Sequence, residues 1–149
     1  MKFETPNILS HKNKIFGLMV LIMFMCLVSF FGYQEYQEYQ GRKHYPIVKA
    51  EFNRIRPLPG AIAASDSQGT VAGNHANVGM LYQTNMSYSA IKEYYDVELA
   101  RHGFKFQKES EAYGRKRILY TKGEFTAFID YVGITNPEYT YYFYVSWDS

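Results

Sequence analysis

Polar residues vanish from the chain between Ile15 and Tyr33. The stretch IFGLMVLIMFMCLVSFFGY holds no charge, no Asn or Gln and a single Ser. At about 1.5 Å per residue such a helix reaches roughly 28 Å, close to the ~30 Å hydrocarbon core of a bilayer. The pattern therefore predicts a membrane-spanning helix over residues 15–33. A short tail (1–14) precedes it, a stalk with a short helix (34–56) follows, and a small domain occupies 57–149.

Beyond the apolar run the hydrophobic period changes twice. Tyr33, Tyr36 and Tyr39 recur every third residue and suit the headgroup layer or a polar stalk. Gly41 permits a break, and Pro46 fits the first turn of a new helix. Val48, Phe52 and Ile55 then mark an apolar helical face that Pro57 and Pro59 end. Residues 61–64 form a first short strand. The segment from Ser65 to Asn77 (SDSQGTVAGNHAN) is rich in turn-forming residues and reads as a long loop. Its glycines and Gly79 lack the Lys-Ser/Thr of a phosphate loop.

Val78 to Thr84 reads as a strand. The clearest helix of the domain spans Tyr88 to His102. Ser87 or Ser89 caps it, Ile91, Tyr95 and Leu99 form its buried stripe, and Gly103 ends it. Glu98 falls on a more polar side, at pairing distance from Arg101 and His102. The remainder alternates as a meander: 104–108, a polar loop through Gly114, 115–121, a turn at Lys122-Gly123, 124–132, and 139–147. Short turns make antiparallel neighbours, and one helix covers one face. The predicted fold is α+β, a two-layer domain of about β-β-α-β-β-β-β behind an N-terminal transmembrane helix.

Period-two alternation sorts the last two strands into faces. Phe125, Ala127, Ile129 and Tyr131, with Tyr139, Tyr141, Phe143, Val145 and Trp147, point to the core. Phe128, Tyr142 and Tyr144 point the other way. An aromatic patch on an open face marks a protein contact, so these three are the candidate binding residues. Arg115-Lys116-Arg117 alternates sides and so makes no single cluster. It reads as a charged edge strand, with Glu109 and Glu111 to neutralise it.

Composition adds three constraints. The aromatic share of 18 %, with 15 Tyr, favours sheet. From Gln34 onward 13 Lys and Arg meet 13 Asp and Glu. A neutral domain lacks the basic surface that nucleic acid requires. The one cysteine, Cys26, lies in the apolar run, so the domain has neither a disulfide nor a Cys-based metal site. Cleavage of the run is disfavoured, because a cut after Gly32 puts bulky Phe30 where a small residue is needed, and Met25 precedes Cys26. His11-Lys12-Asn13-Lys14 before the run and the Lys- and Arg-free residues 33–40 after it place the N-terminus in the cytoplasm and the domain outside.

No catalytic signature is present. The four histidines show no metal-ligand spacing, and GxSxG is absent. No cofactor, metal or enzymatic activity is expected. The series Pro57-x-Pro59-Gly60-Ala61, Tyr82-x-Thr84, Ser87-Tyr88-x-x-Ile91-x-x-Tyr94-Tyr95 and Leu99-x-x-x-Gly103-Phe104 resembles small uncharacterised bacterial domains. In those a membrane anchor or signal sequence precedes an α+β fold. The resemblance covers about residues 57–147 and carries no catalytic residue with it. It implies no defined activity; the apolar run and its flanks add the expectation of a single-pass protein of the bacterial cytoplasmic membrane. The leading expectation is a tethered domain that binds another protein, as an accessory subunit of an envelope complex. The alternatives are an immunity protein that neutralises a toxin at the membrane, and a ligand-sensing or hydrolytic domain using the 65–79 loop with His75.

Overall fold

The computed structural model describes the backbone of residues 8–148 and the side chains of residues 16–148. The side chains of the His11–Lys14 flank, on which the expected orientation rests, lie outside the described residues, as does the backbone of residues 1–7. Helix α1 runs unbroken from Ile8 to Arg54. Its apolar part, through Tyr36, belongs to one compact unit, and the described residues from Gln37 onward form the second. In the first unit every described side chain is exposed, and the most apolar window has none of its surface buried. This helix is long and apolar enough to cross a membrane.

The second unit contains seven antiparallel strands and helix α2. The strands are β1 (Ile62–Ala63), β2 (Gln68–Ala72), β3 (His75–Gln83), β4 (Lys105–Ala112), β5 (Arg115–Lys122), β6 (Phe125–Tyr131) and β7 (Tyr141–Asp148), with α2 (Tyr88–Arg101) after β3. The sheet order is β1-β3-β7-β6-β5-β4, and β2 shares the outer edge of β3 with β1. The expected α+β class holds, with one strand more than the sequence pattern indicated.

Two helices, rather than one, close the same face of this sheet. The α2 stripe Ile91, Tyr95 and Leu99 is fully buried. Val48, Phe52 and Ile55 of α1 join the same core. Phe143 is held between them, stacked on Phe52 at 5.5 Å and on Tyr95 at 5.0 Å between ring centroids. Trp147 stacks on His44 at 3.7 Å. Ala127, Ile129, Tyr141, Val145 and Trp147 all lie in the core, as their alternation requires. Tyr139 does not: it precedes β7 and is half-exposed. Glu98 is also buried rather than on a polar side, because it accepts the Arg56 backbone N–H at 3.0 Å and pairs with His102.

Several further local expectations are corrected. Gly41 does not break α1, and Pro46 lies inside it. A Cβ at Gly41 would press into the Gly73 carbonyl oxygen, so this glycine permits close packing of helix on hairpin. The 65–77 loop contains β2 and a hairpin whose tip is Gly73-Asn74, with Gly73 at φ +57°. Gly69 sits beneath the Tyr45 ring, which is why β2 carries a glycine there. The polar 109–114 segment is the second half of β4, which ends in a tight turn at Tyr113-Gly114. That strand is the sheet edge, so β5 with its Arg115–Arg117 run is interior. The β5–β6 turn is Gly123-Glu124, one residue later than expected.

Candidate functional site

The face of the sheet opposite the helices is set by register. Cross-strand partners share a face, so Arg117 lies beside Asp130, Asp130 beside Tyr142, Phe128 beside Tyr144, and Asn77 beside Ser146. The three residues proposed from alternation, Phe128, Tyr142 and Tyr144, do come together. Phe128 and Tyr144 stack at 4.7 Å, and Tyr142 and Tyr144 at 4.8 Å. All three are half-exposed.

Two features make this stack possible. Gly79 is the cross-strand partner of Tyr144, and a Cβ there would lie 2.6 Å from Tyr142 Cζ and 2.5 Å from Tyr144 Cβ. The missing side chain is thus the space into which the Tyr142 ring leans. At the opposite end the Arg117 guanidinium lies 5.4 Å from the Phe128 ring centre. Arg117 donates to both carboxylate oxygens of Asp130 at 2.6 Å, a bidentate pair that fixes its plane. The order along the stack is guanidinium, Phe128, Tyr144, Tyr142, with the Tyr142 hydroxyl lying over Gly79.

Electrostatics keep those phenols protonated. Burial, and then the Asp130 charge, push the Tyr144 hydroxyl up to about 12, with Arg117 opposing. Burial followed by Asp130 raises Tyr142 as well. Each phenol is therefore a hydrogen-bond donor at physiological pH.

Sequence reasoning named His75 of the polar half of the site and missed the residues gathered around it. His75 begins β3 rather than lying in a loop, and its Nδ1 bonds the Asp148 carboxylate. Its Nε2 lies 3.1 Å from the Asn77 amide. With Ser146 and the stack these residues line a shallow depression of about 380 Å³. The Ser146 Oγ is buried in its floor with no hydrogen-bond partner. The Arg117–Asp130 pair was detectable, since a two-residue turn at Gly123-Glu124 puts them opposite each other. The His75–Asp148 pair joins residues 73 positions apart and leaves no local signal.

No family model, curated protein or solved structure matches this chain. The His75–Asp148 contact invites comparison with a hydrolytic dyad. Yet both imidazole nitrogens already face partners, and the adjacent Ser146 hydroxyl is covered. A nucleophile needs an exposed oxygen next to a free base nitrogen. Among the described residues no three metal-ligating side chains converge.

Proposed function

We propose that this chain is a membrane-tethered, non-enzymatic recognition domain, an accessory subunit that binds another protein through the open face of its sheet. The observation that carries the reading is the aromatic stack of Phe128, Tyr144 and Tyr142. It is left uncovered on a sheet whose other face is closed by two helices. Half-exposed aromatics beside an ordered Arg are the residue types enriched at protein contacts. The apolar part of α1 supports residues 15–33 as the lipid-embedded anchor. The charge bias of the flanking sequence supports a cytoplasmic N-terminus and an extracytoplasmic domain in the bacterial cytoplasmic membrane.

The test is co-purification from solubilised native membranes, with identification of the partner. The double variant Tyr142→Thr/Tyr144→Ser retains the fold and loses the partner. Repeated recovery of the parent chain alone refutes the reading. So does an unfolded double variant, which would make the stack part of the core. Protease treatment of intact cells tests the orientation: the domain is digested from outside, and protection there places it in the cytoplasm.

A further inference from the structure

Very little chain separates the apolar run from the first packed residue of the domain. Tyr33 ends the run, and Gln37 follows it by four residues on the same unbroken helix, a rise of about 6 Å. Even a fully extended backbone covers no more than about 14 Å there. Gln37 is where the second unit starts, and the β2–β3 hairpin is already against it: a Cβ at Gly73 would lie 4.0 Å from Gln37 Cβ. One turn further on, Gly41 lies beneath the same hairpin, where a Cβ would stand 2.8 Å from Val71 Cγ1 and 3.0 Å from the His75 carbonyl oxygen. The hairpin tip is thus held level with Gln37. The polar headgroup layer outside the hydrocarbon is about 5–8 Å deep on each side of a bilayer, the depth that Gln37 reaches.

The composition of the hairpin suits that layer. From Ser67 to Asn74 (SQGTVAGN) it holds no charge, so entering the layer desolvates no ion. Thr70 and Ala72 are small and exposed. Tyr33, Tyr36 and Tyr39 rise along α1 past the same level, each more than half exposed, as aromatics at a membrane interface are. The other end of the sheet differs. The Tyr113-Gly114 turn leads into Arg115-Lys116-Arg117, and register puts it at the far end of β3: Lys116 pairs with Tyr131, Tyr131 with Tyr141, and Tyr141 with Tyr82. Tyr82 is seven residues from His75 along β3, about 23 Å. A bilayer is the occupant that α1 itself brings to the β2–β3 hairpin in every copy of the chain. A partner protein or a second copy would have to displace headgroups from around the helix to reach it.

We propose that the tip of the β2–β3 hairpin, Val71 to Asn74, rests in the phospholipid headgroup layer, so that the folded domain itself contacts the bilayer surface. This rests on reading residues 15–33 as the lipid-embedded anchor. It goes beyond that reading by giving the membrane a contact on the sheet, separate from the open face.

The experiment uses the full chain reconstituted and floated in phosphatidylcholine vesicles. A single nitrobenzoxadiazole label is attached at Ala72→Cys in a Cys26→Ser background, beside the same label at Tyr113→Cys. Circular dichroism checks the fold, and Thr70→Cys carries the label where Ala72→Cys disturbs it. With iodide on both sides of the membrane, the hairpin label should emit at shorter wavelength and be quenched less by iodide than the Tyr113 label. Lipid spin-labelled at its choline headgroup should quench it several-fold more. Equal quenching of the two labels by that lipid overturns the proposal. So does a hairpin label that is shielded from iodide yet unquenched by lipid, which means a protein covers the tip. Stronger quenching from a spin label deep in the acyl chain overturns it as well, by placing the tip in hydrocarbon. A chain that does not float with the vesicles refutes the anchor and this inference together, whereas a floating chain with an unquenched hairpin label refutes this inference alone.

Discussion

Replacing Gly41 by alanine separates two opposite expectations. In an exposed helix interior, Gly→Ala is stabilising by about 1 kcal/mol, since alanine loses less backbone entropy. At Gly41 the new Cβ would press into the Gly73 carbonyl oxygen and sit 2.8 Å from Val71 Cγ1 and 3.0 Å from the His75 carbonyl oxygen. Two of these three atoms belong to the backbone of the β2–β3 hairpin, so no rotamer change relieves them. Overpacking of this kind costs about 1–3 kcal/mol, and a backbone obstacle belongs at the upper end. Set against the propensity gain, the net loss is about 2 kcal/mol. For a unit of this size that lowers the melting temperature by about 8 °C. Trp147, the only tryptophan, is buried against His44 on the same helix and reports unfolding by its fluorescence. Thermal melts of the full chain in micelles, with Gly32→Ala as a control that meets no neighbour, give the answer. A Gly41→Ala protein that melts at or above the parent temperature refutes the packing argument.

Three further outcomes follow from the same kind of reasoning. Gly79→Val fills the space occupied by the tip of Tyr142, so it should abolish the tyrosine near-UV circular dichroism of the stack and, with it, the proposed partner binding. Its far-UV spectrum should stay unchanged, and an unaltered near-UV signal counts against the stack. Tyr113 holds φ +54° at a fully exposed hairpin tip. Tyr113→Asn, which suits that conformation, should stabilise the chain by about 1 kcal/mol, read as a higher denaturant midpoint at constant slope. Burial works to raise the pKa of Glu98, but the bonds from the Arg56 N–H and His102, with Arg101 nearby, bring it below 4.5 on balance. A lowered folded value means that this stabilisation is complete above pH 4.5 and is lost as pH falls through the lowered value. Glu98→Gln should thus cost about 1 kcal/mol at pH 7, and the gap to the parent should close in acid; a gap that is constant with pH contradicts the assignment.

Local patterns carried most of the fold. The α2 stripe, its Ser87 cap and the Gly103 stop were all legible, because each is a helix signal within a few residues of its neighbours. The β6 and β7 faces were legible too, since alternation needs no knowledge of pairing. What failed was whatever depended on a distant partner. Gly41 and Gly69 look like breakers in isolation and turn out to be points of close approach, to the Gly73 carbonyl and to Tyr45. β2 was invisible because its sequence, QGTVA, is small and mostly exposed. The candidate site divided in the same way: its aromatic half follows from period two, whereas its polar half is assembled by the non-local pairing of β3 with β7.

The helix that enters the core also decides where the protein can be cut. Scission just after Tyr36 would shed a globule that keeps Val48, Phe52 and Ile55. A cut at Arg56 would strip away those three side chains and leave Phe143 and Trp147 facing water on one side. Any fragment cut free of the apolar segment that retains this core must therefore carry the second half of α1 with it.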